Sequence, residues 1–369
     1  MSVSVNGTNG LTFNDGSMQN TSAYGGGFAM RNRIINGAMV IDQRNAGASV
    51  TALNTAPFTV DRFYALSVPS SKYTVQQSST APTGFTKSVV ITSASAYTVT
   101  SGDYFLYRQV IEGFNCADLG WGTASAATVT LSFWVRSSLT GTFGSALNNG
   151  ASNRSYPFSY TISAANTWEQ KTITIAGDTT GTWATDNSGG IVVSWSIGMG
   201  STYTGTANAW AGTFYGAPTG STNLVSTNGA TLYITGVQLE KGSTATSFDY
   251  RPYGTELALC QRYLPAFNAV AAGDTICSAY MQSTTNMRAT FVHKVSTRVA
   301  PTGLTATSGS TFSFSGVAGV NGSGSLAFLG GSTEASFLQL TVGVTTAGVG
   351  GQLSCNTTPC QILMTGCEL

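Results

Sequence analysis

Ala127-Thr-Val-Thr-Leu-Ser-Phe-Trp-Val-Arg136 puts Val129, Leu131, Phe133 and Val135 on one face of an extended chain, and Thr128, Thr130, Ser132, Trp134 and Arg136 on the other. Period-two alternation of this kind marks a strand with one buried face. Ile191-Val-Val-Ser-Trp-Ser-Ile-Gly-Met199 repeats it, gathering Ile191, Val193, Trp195, Ile197 and Met199 on one side. Further strands are expected over 59–67, 72–78, 87–92, 103–112, 170–176 and 230–240. Many short strands with turn residues between them and little helical periodicity point to an all-β chain, an antiparallel β-sandwich or jelly roll over 31–253. In the last strand Leu232 and Ile234 share a face, whereas Val237 and Leu239 continue out of phase. A β-bulge at Thr235-Gly236 is therefore expected, returning both pairs to the core.

The rest of the composition agrees with a folded, weakly charged protein. Of 369 residues only 8% are charged, where an ordinary soluble domain has about 25%. Ser, Thr, Asn, Gln and Gly must therefore make up most of the surface. Disorder would need low hydrophobicity and high net charge, yet 42% of residues are hydrophobic and the net charge is +1. With no Lys/Arg run the electrostatic drive for nucleic acid is missing, so no nucleic-acid partner is expected. No apolar run is long enough to span a bilayer, and Met1-Ser-Val-Ser-Val-Asn-Gly7 lacks a basic start and an apolar stretch. Synthesis in a cytoplasm is expected, with no membrane insertion and with lysis as a route of exit.

Six cysteines, Cys116, Cys260, Cys277, Cys355, Cys360 and Cys367, are irregularly spaced. Buried free thiols are one reading. A disulfide within Cys355-Asn-Thr-Thr-Pro-Cys360 is another, opposed by a cytoplasmic origin until release. A zinc site from Cys277, Cys355, Cys360 and Cys367 lacks the paired short spacing such sites use.

Residues 1–30 are rich in Gly, Asn, Ser and Thr, with Asn14-Asp-Gly16 suited to a tight turn. Beyond the sandwich, Leu257, Cys260 and Leu264 fall at helical spacing, too short to stand alone. That stripe packs either on the sandwich or against copies of itself around a shared axis. After Pro265 the chain is again strand-like, over 275–281, 287–295, 311–314, 325–329 and 336–344.

Gly236-Val-Gln-Leu-Glu-Lys-Gly-Ser-Thr-Ala-Thr-Ser-Phe-Asp-Tyr-Arg-Pro-Tyr253, running into Glu256-Leu-Ala-Leu-Cys-Gln-Arg-Tyr263, closely resembles a segment of bacteriophage tail fibres and related virion proteins. There it ends a sandwich like that of carbohydrate-binding modules and leads into the distal, host-facing part. Gly10-Leu-Thr-Phe-Asn-Asp-Gly-Ser-Met-Gln-Asn-Thr-Ser-Ala23 is similar to N-terminal segments that dock such fibres to the virion, while Arg298-Val-Ala-Pro-Thr302 and Cys367-Glu-Leu369 resemble the fibres' distal domain. The resemblance implies an attachment segment at 1–30, the sandwich at 31–253 and a smaller C-terminal β-domain at 254–369, joined by a short helix. It also implies a homotrimer in the virion, docked to the phage tail or other virion proteins, with Leu257, Cys260 and Leu264 at the trimer interface. Adhesion to host-surface polysaccharide without catalysis is the expected work. A capsid decoration or spike protein and a tailspike depolymerase are the alternatives.

Little chemistry is written in the chain. The single histidine, His293, is read opposite Phe291 and Val295, at the surface or in an interface, and no Gly-x-Ser-x-Gly elbow accompanies it. Acidic residues form no short motif that would set two carboxylates across a groove, so no catalytic residues are assigned. Glu240 beside Lys241 and Asp249 beside Tyr250-Arg251 suit ion pairing at the joint. Trp121, Trp183, Trp210, Phe214 and Tyr215 lie in loop-like sequence and are the candidate sugar-stacking rings, the other reading being caps on the sandwich edges or interface fillers. Trp134, opposite the apolar row of its strand, belongs to a concave face or a second core. No cofactor is expected, although the resemblance allows a structural calcium; no EF-hand-like loop is present.

Overall fold

The structure is a computed structural model that describes residues 4–6, 10–12, 18–19, 30–307, 311–316, 321–343 and 345–369. The chain divides into two compact units, Met1–Arg31 and Asn32–Leu369. The first holds an antiparallel three-stranded sheet of β1 (Ser4–Asn6), β2 (Gly10–Thr12) and β3 (Met18–Gln19). The turn expected at Asn14-Asp-Gly16 lies outside the described residues.

The second unit opens with the sandwich. Its strands are β4 (Val50–Thr51), β5 (Phe63–Val68), β6 (Tyr73–Ser78), β7 (Ser88–Ser93), β8 (Tyr104–Glu112), β9 (Val129–Ser137), β10 (Gly141–Asn149), β11 (Ser155–Ile162), β12 (Glu169–Ile175), β13 (Gly189–Met199) and β16 (Thr231–Lys241). A small parallel pair, β14 (Thr204–Gly205) and β15 (Ala217–Pro218), sits in the loop before the last of these. One sheet runs β11-β10-β13-β8-β5 and the other β12-β9-β16-β7-β6-β4. The chain passes repeatedly from one sheet to the other, the crossing pattern of a jelly roll. Odd-numbered residues of β9 from Val129 to Val135 and of β13 from Ile191 to Ile197 face the shared core as the alternation predicts, with Leu131, Phe133, Val193 and Trp195 fully buried. Met199, expected on the same face, is corrected: a register shift between Ser196 and Gly198 turns it to the outer face, where it packs with Leu106 and Ala217.

The bulge is where parity placed it. β16 pairs with β9 in one register up to Thr235 and in another from Gln238, and Leu232, Ile234, Val237 and Leu239 are all fully buried. Two strands that the sequence reading passed over, β10 and β11, complete the first sheet. Their pattern is muted because the outer face of β10 must be small: a Cβ on Gly144 would meet Ser221 Oγ at 2.4 Å and Ala217 Cβ at 2.7 Å, where the 213–222 loop lies on the sheet.

A helix, α1 (Tyr253–Gln261), joins the sandwich to a closed barrel. The barrel runs in the order β18 (Thr275–Met281), β19 (Asn286–Val292), β23 (Ala335–Thr341), β22 (Asn321–Gly331), β21 (Phe312–Gly316) and β24 (Gly350–Cys355). Beside it lies a sheet of β17 (Ala266–Asn268), β25 (Gln361–Thr365) and β20 (Gly303–Ala306), and closure removes the exposed edges a small sheet would otherwise present. Its core, around Met281, Met287, Phe312, Phe314, Leu338 and Leu353, is separate from that of the sandwich.

At the joint the helical stripe is taken up by its own chain. Cys260 and Tyr263 pack with Ile35 and Ile41, and Leu257, half-buried, leans on the same cluster. Leu264 is buried with Ala266 and Leu363. Cys260 is 0% and Leu264 2% exposed, so the expectation that they meet copies of themselves at an axis gives way to packing on the sandwich and the barrel side. A short helix with no side-chain N-cap gains its stability from such packing. Arg262 reaches back to Glu112 through two hydrogen bonds of 2.6 and 3.0 Å, and Tyr263 donates its hydroxyl to the same carboxylate at 2.6 Å. Burial works against the charge of Glu112, but these hydrogen bonds outweigh it and hold the carboxyl below its usual range. Arg44 pairs with Glu368 at 2.5 Å, and Arg298 donates to the carbonyls of Asn187, Cys367 and Glu368.

Candidate functional site

A cleft with exposed aromatic surface is built on the bulge. Gly236 has φ 61, a left-handed backbone that a glycine adopts without cost, and a Cβ there would lie 2.6 Å from Phe85 Cζ and 2.9 Å from Trp134 Cδ1. Glycine thus lets the Phe85 ring rest on the strand beside Trp134, which is half-buried on the outer face of the six-stranded sheet. Phe85 packs edge-on to Phe248 at 5.1 Å and lies 5.5 Å from Tyr250, whose ring is 4.8 Å from Phe248. Tyr250 donates its hydroxyl to the Gly84 carbonyl, which ties the segment after β16 to the loop before β7.

This aromatic wall bounds a cleft of about 470 Å³ with Val40, Lys87, Asp249 and Tyr253 among its other lining residues. Tyr250 is 58% and Tyr253 63% exposed, so the ring surface faces outward. Arg251 and Glu256 form the floor and are already committed: their ion pair is 3.1 Å, Arg251 also donates to the Ile34 and Asn32 carbonyls, and Glu256 accepts the Asn36 amide. Lys87 has no ion pair among the described residues, and Asp249 accepts one hydrogen bond, from the Asn32 amide at 3.2 Å. One free ammonium and one half-used carboxylate leave the cleft near neutral. Ring faces with a few flanking polar groups suit a ligand that carries apolar and hydrogen-bonding surfaces together.

The rings singled out from the sequence lie elsewhere. Trp121, Trp183 and Trp210 form one edge-to-face cluster, with centroids 4.7, 5.4 and 5.5 Å apart. Their indole N–H groups donate to the carbonyls of Ala127, Thr180 and Ala176, and Trp121 and Trp183 are buried. Trp121 and Trp183 cap the end of the sandwich core, and their burial corrects their assignment as stacking rings; Trp210, half-buried against both, keeps part of its surface open. Phe214 is half-buried against Tyr203 and under the Arg108 guanidinium. Tyr215 and part of Trp210 border a shallow cavity of about 430 Å³ with Thr204, Ala209 and Thr219.

The ion pairs at the joint and the place of the histidine are corrected. Glu240 and Lys241 are successive strand residues and point to opposite faces, so Glu240 accepts from Gln238 and Thr246 while Lys241 lies 3.6 Å from Asp118. Arg251 pairs with Glu256 in place of its neighbour Asp249. His293 sits two residues beyond Phe291, hence on the same side as that residue, and is 6% exposed; Nδ1 lies 3.0 Å from the Thr333 carbonyl and Nε2 2.9 Å from the Ser336 hydroxyl. Cys355 and Cys360 form a disulfide, while Cys116, Cys260, Cys277 and Cys367 are free thiols. Among the described residues no three His, Cys, Asp or Glu side chains converge in a group that would hold a metal ion.

The fold and cleft define an antiparallel jelly-roll protein with an aromatic-walled surface site. No protein-family model matches the chain, and no curated protein matches it. Among solved structures, the enzymatically active domain of tailspike protein 4 from bacteriophage CBA120 is similar at TM-score 0.31 and 12% identity, over 57% of this chain and 22% of the tailspike chain. A CBM4 structure is similar at TM-score 0.29 and 15% identity, over 56% of this chain and 98% of that one. The family 11 carbohydrate-binding module from Clostridium thermocellum, solved with a β-1,3-1,4-mixed-linked tetrasaccharide, is similar at TM-score 0.28 and 10% identity, over 56% of this chain and all of the module. Likeness at this level assigns no residue and no ligand to this chain.

Proposed function

We propose that this chain is a non-catalytic glycan-binding protein, and that it serves as an adhesin of the tail-fibre class in a phage virion. The observation that carries the binding reading is the cleft, where outward-facing Tyr250 and Tyr253 stand over hydrogen-bonding groups of balanced charge. Pyranose C–H faces stack on such rings while hydroxyls find polar neighbours. The lack of net charge favours a neutral saccharide. The Arg251–Glu256 ion pair supports binding without chemistry, because it ties down one of the two acidic residues lining the cleft. The virion role rests on the resemblance of 236–263 and 10–23 to fibre segments, and with it come attachment through residues 1–30 and assembly as a homotrimer.

Titration of the full chain against immobilised host-surface polysaccharide tests the binding reading. Tyr250→Ala and Tyr253→Ala are each expected to weaken binding about tenfold, the loss of one stacked ring. Full affinity in both folded variants would overturn the assignment of the cleft, and release of reducing ends from the polysaccharide would overturn the non-catalytic reading. Gold labelling of virions tests the location: label on capsid faces in place of the tail would reject the fibre role.

A further inference from the structure

We infer that the outer wall of the barrel carries a second ligand site, for a saccharide bearing a carboxylate. It is distinct in residues and in charge from the cleft and does not depend on it. Outward positions of a barrel strand ordinarily carry polar side chains, because inward positions supply the core. On adjacent strands β18, β19, β23 and β22 this wall instead exposes Tyr280 at 53%, Val292 at 69%, Phe337 at 53% and Leu329 at 47%. Tyr280, Phe337 and Leu329 line a shallow depression of about 570 Å³ together with Arg288 and Gln282.

The register sets the geometry. Tyr280 is paired across β18–β19 with Arg288, and Phe337 across β19–β23 with Thr290, so the cation sits on the strand between the two rings. Two strand spacings sideways and two residues along separate the Tyr280 and Phe337 Cα atoms by about 12 Å. One sugar ring cannot cover both, whereas successive units of a chain can. Arg288 is the one charged side chain lining the depression, and it has no ion pair among the described residues. Its Nε donates to Gln282 Oε1 at 2.6 Å, which orients the guanidinium and leaves the Nη hydrogens for a ligand. A planar, pre-oriented guanidinium flanked by aromatic faces matches a carboxylate carried on a pyranose. A second copy seated by twofold symmetry is disfavoured, because the same patch on both partners sets Arg288 against Arg288.

The probes are an oligogalacturonate, its carboxyl-reduced counterpart and sialyllactose, titrated calorimetrically into the full chain at low and at high salt. Binding of at least one acidic probe is expected, weakening with salt, with the reduced probe at least about tenfold weaker. Arg288→Gln should weaken the acidic probe about tenfold and remove the salt dependence. Tyr280→Ala and Phe337→Ala should each weaken it several-fold without moving the melting temperature, and Tyr250→Ala in the cleft should leave it unchanged. The inference is overturned if neither acidic probe shows Arg288-dependent binding at millimolar concentration. It is also overturned if the native chain is an oligomer that Tyr280→Ala or Phe337→Ala dissociates, which would make the wall a subunit interface. Because the cleft variants are read in parallel, failure at the wall is separable from failure of the cleft.

Discussion

Replacing Gly236 by alanine should disturb the core and the cleft through one atom. At φ 61 an L-residue costs about 1–2 kcal/mol more than glycine. The added Cβ would also stand 2.6 Å from Phe85 Cζ and 2.9 Å from Trp134 Cδ1. Carbon atoms rest about 3.5–4 Å apart, so the Phe85 ring has to withdraw by about 1 Å, an overpacking that costs about 1–3 kcal/mol. The total is about 3 kcal/mol, read as a loss of unfolding free energy in denaturant titrations followed by tryptophan fluorescence. Because Phe85 seats Phe248 and Tyr250, cleft affinity should fall in the same variant. The decisive measurement is a double-mutant cycle with Phe85→Ala. Without the ring, Gly236→Ala retains its backbone cost and its Trp134 contact alone, so the two substitutions should fall short of additivity by about 1 kcal/mol or more. Additivity within about 0.5 kcal/mol would refute the claim that Gly236 exists to seat Phe85.

Other outcomes follow from the joint and from the cysteines. Arg262→Met leaves the buried Glu112 carboxylate with Tyr263 as its remaining side-chain partner and should cost about 3–5 kcal/mol, most of it recovered in Arg262→Met/Glu112→Gln; a loss under about 1 kcal/mol would contradict the pairing. Burial pushes Asp61 up to about 6 against the hydrogen bonds of Gln43, and Glu368 up to about 7 against the charge of Arg44. The native state therefore keeps protons that the unfolded chain has shed, so this stabilisation is full below the unfolded values of 3.8 and 4.5 and is lost as pH rises through about 6 and 7. Thermal stability should fall between about pH 5 and pH 8 by an amount on the order of 3 kcal/mol, and Asp61→Asn with Glu368→Gln should flatten the profile; stability rising over that range would be the contrary result. In denaturant without reductant, thiol titration should count four of the six cysteines, and all six after reduction; six at the outset would contradict the Cys355–Cys360 bond.

What the sequence disclosed depended on whether one strand carried its own signal. β9, β13 and β16 alternate large apolar and polar residues, and parity alone located the bulge at Thr235-Gly236. β10 hides because a loop lies on its outer face and leaves no room for a side chain at Gly144, which dilutes the pattern. Loop-borne tryptophans looked available from sequence, yet their indole edges had carbonyl partners that only the fold brings near. The cleft rings were overlooked for the reverse reason. Phe248, Tyr250 and Tyr253 stood in the segment read for ion pairing at the joint and for its resemblance to fibre proteins, and Phe85, the ring that organises them, is 163 residues from Phe248 in the chain. The spacing of rings two and three apart in a stretch that is neither strand nor helix was the available signal. His293 was misplaced by a parity slip that its neighbour Phe291 would have corrected.

The joint between sandwich and barrel also has a mechanical consequence. Covalently the barrel hangs on the sandwich through the short crossing before α1. Laterally it is held by Arg262 on Glu112, Arg298 on the Asn187 carbonyl and Arg44 on Glu368. A pull applied to the barrel is shared among these guanidinium anchors and the Asn268 and Gln361 amides on the Gln43 carbonyl, so the load does not fall on the crossing alone. Contacts spread over the joint in this way oppose twisting of the barrel as well as its separation from the sandwich.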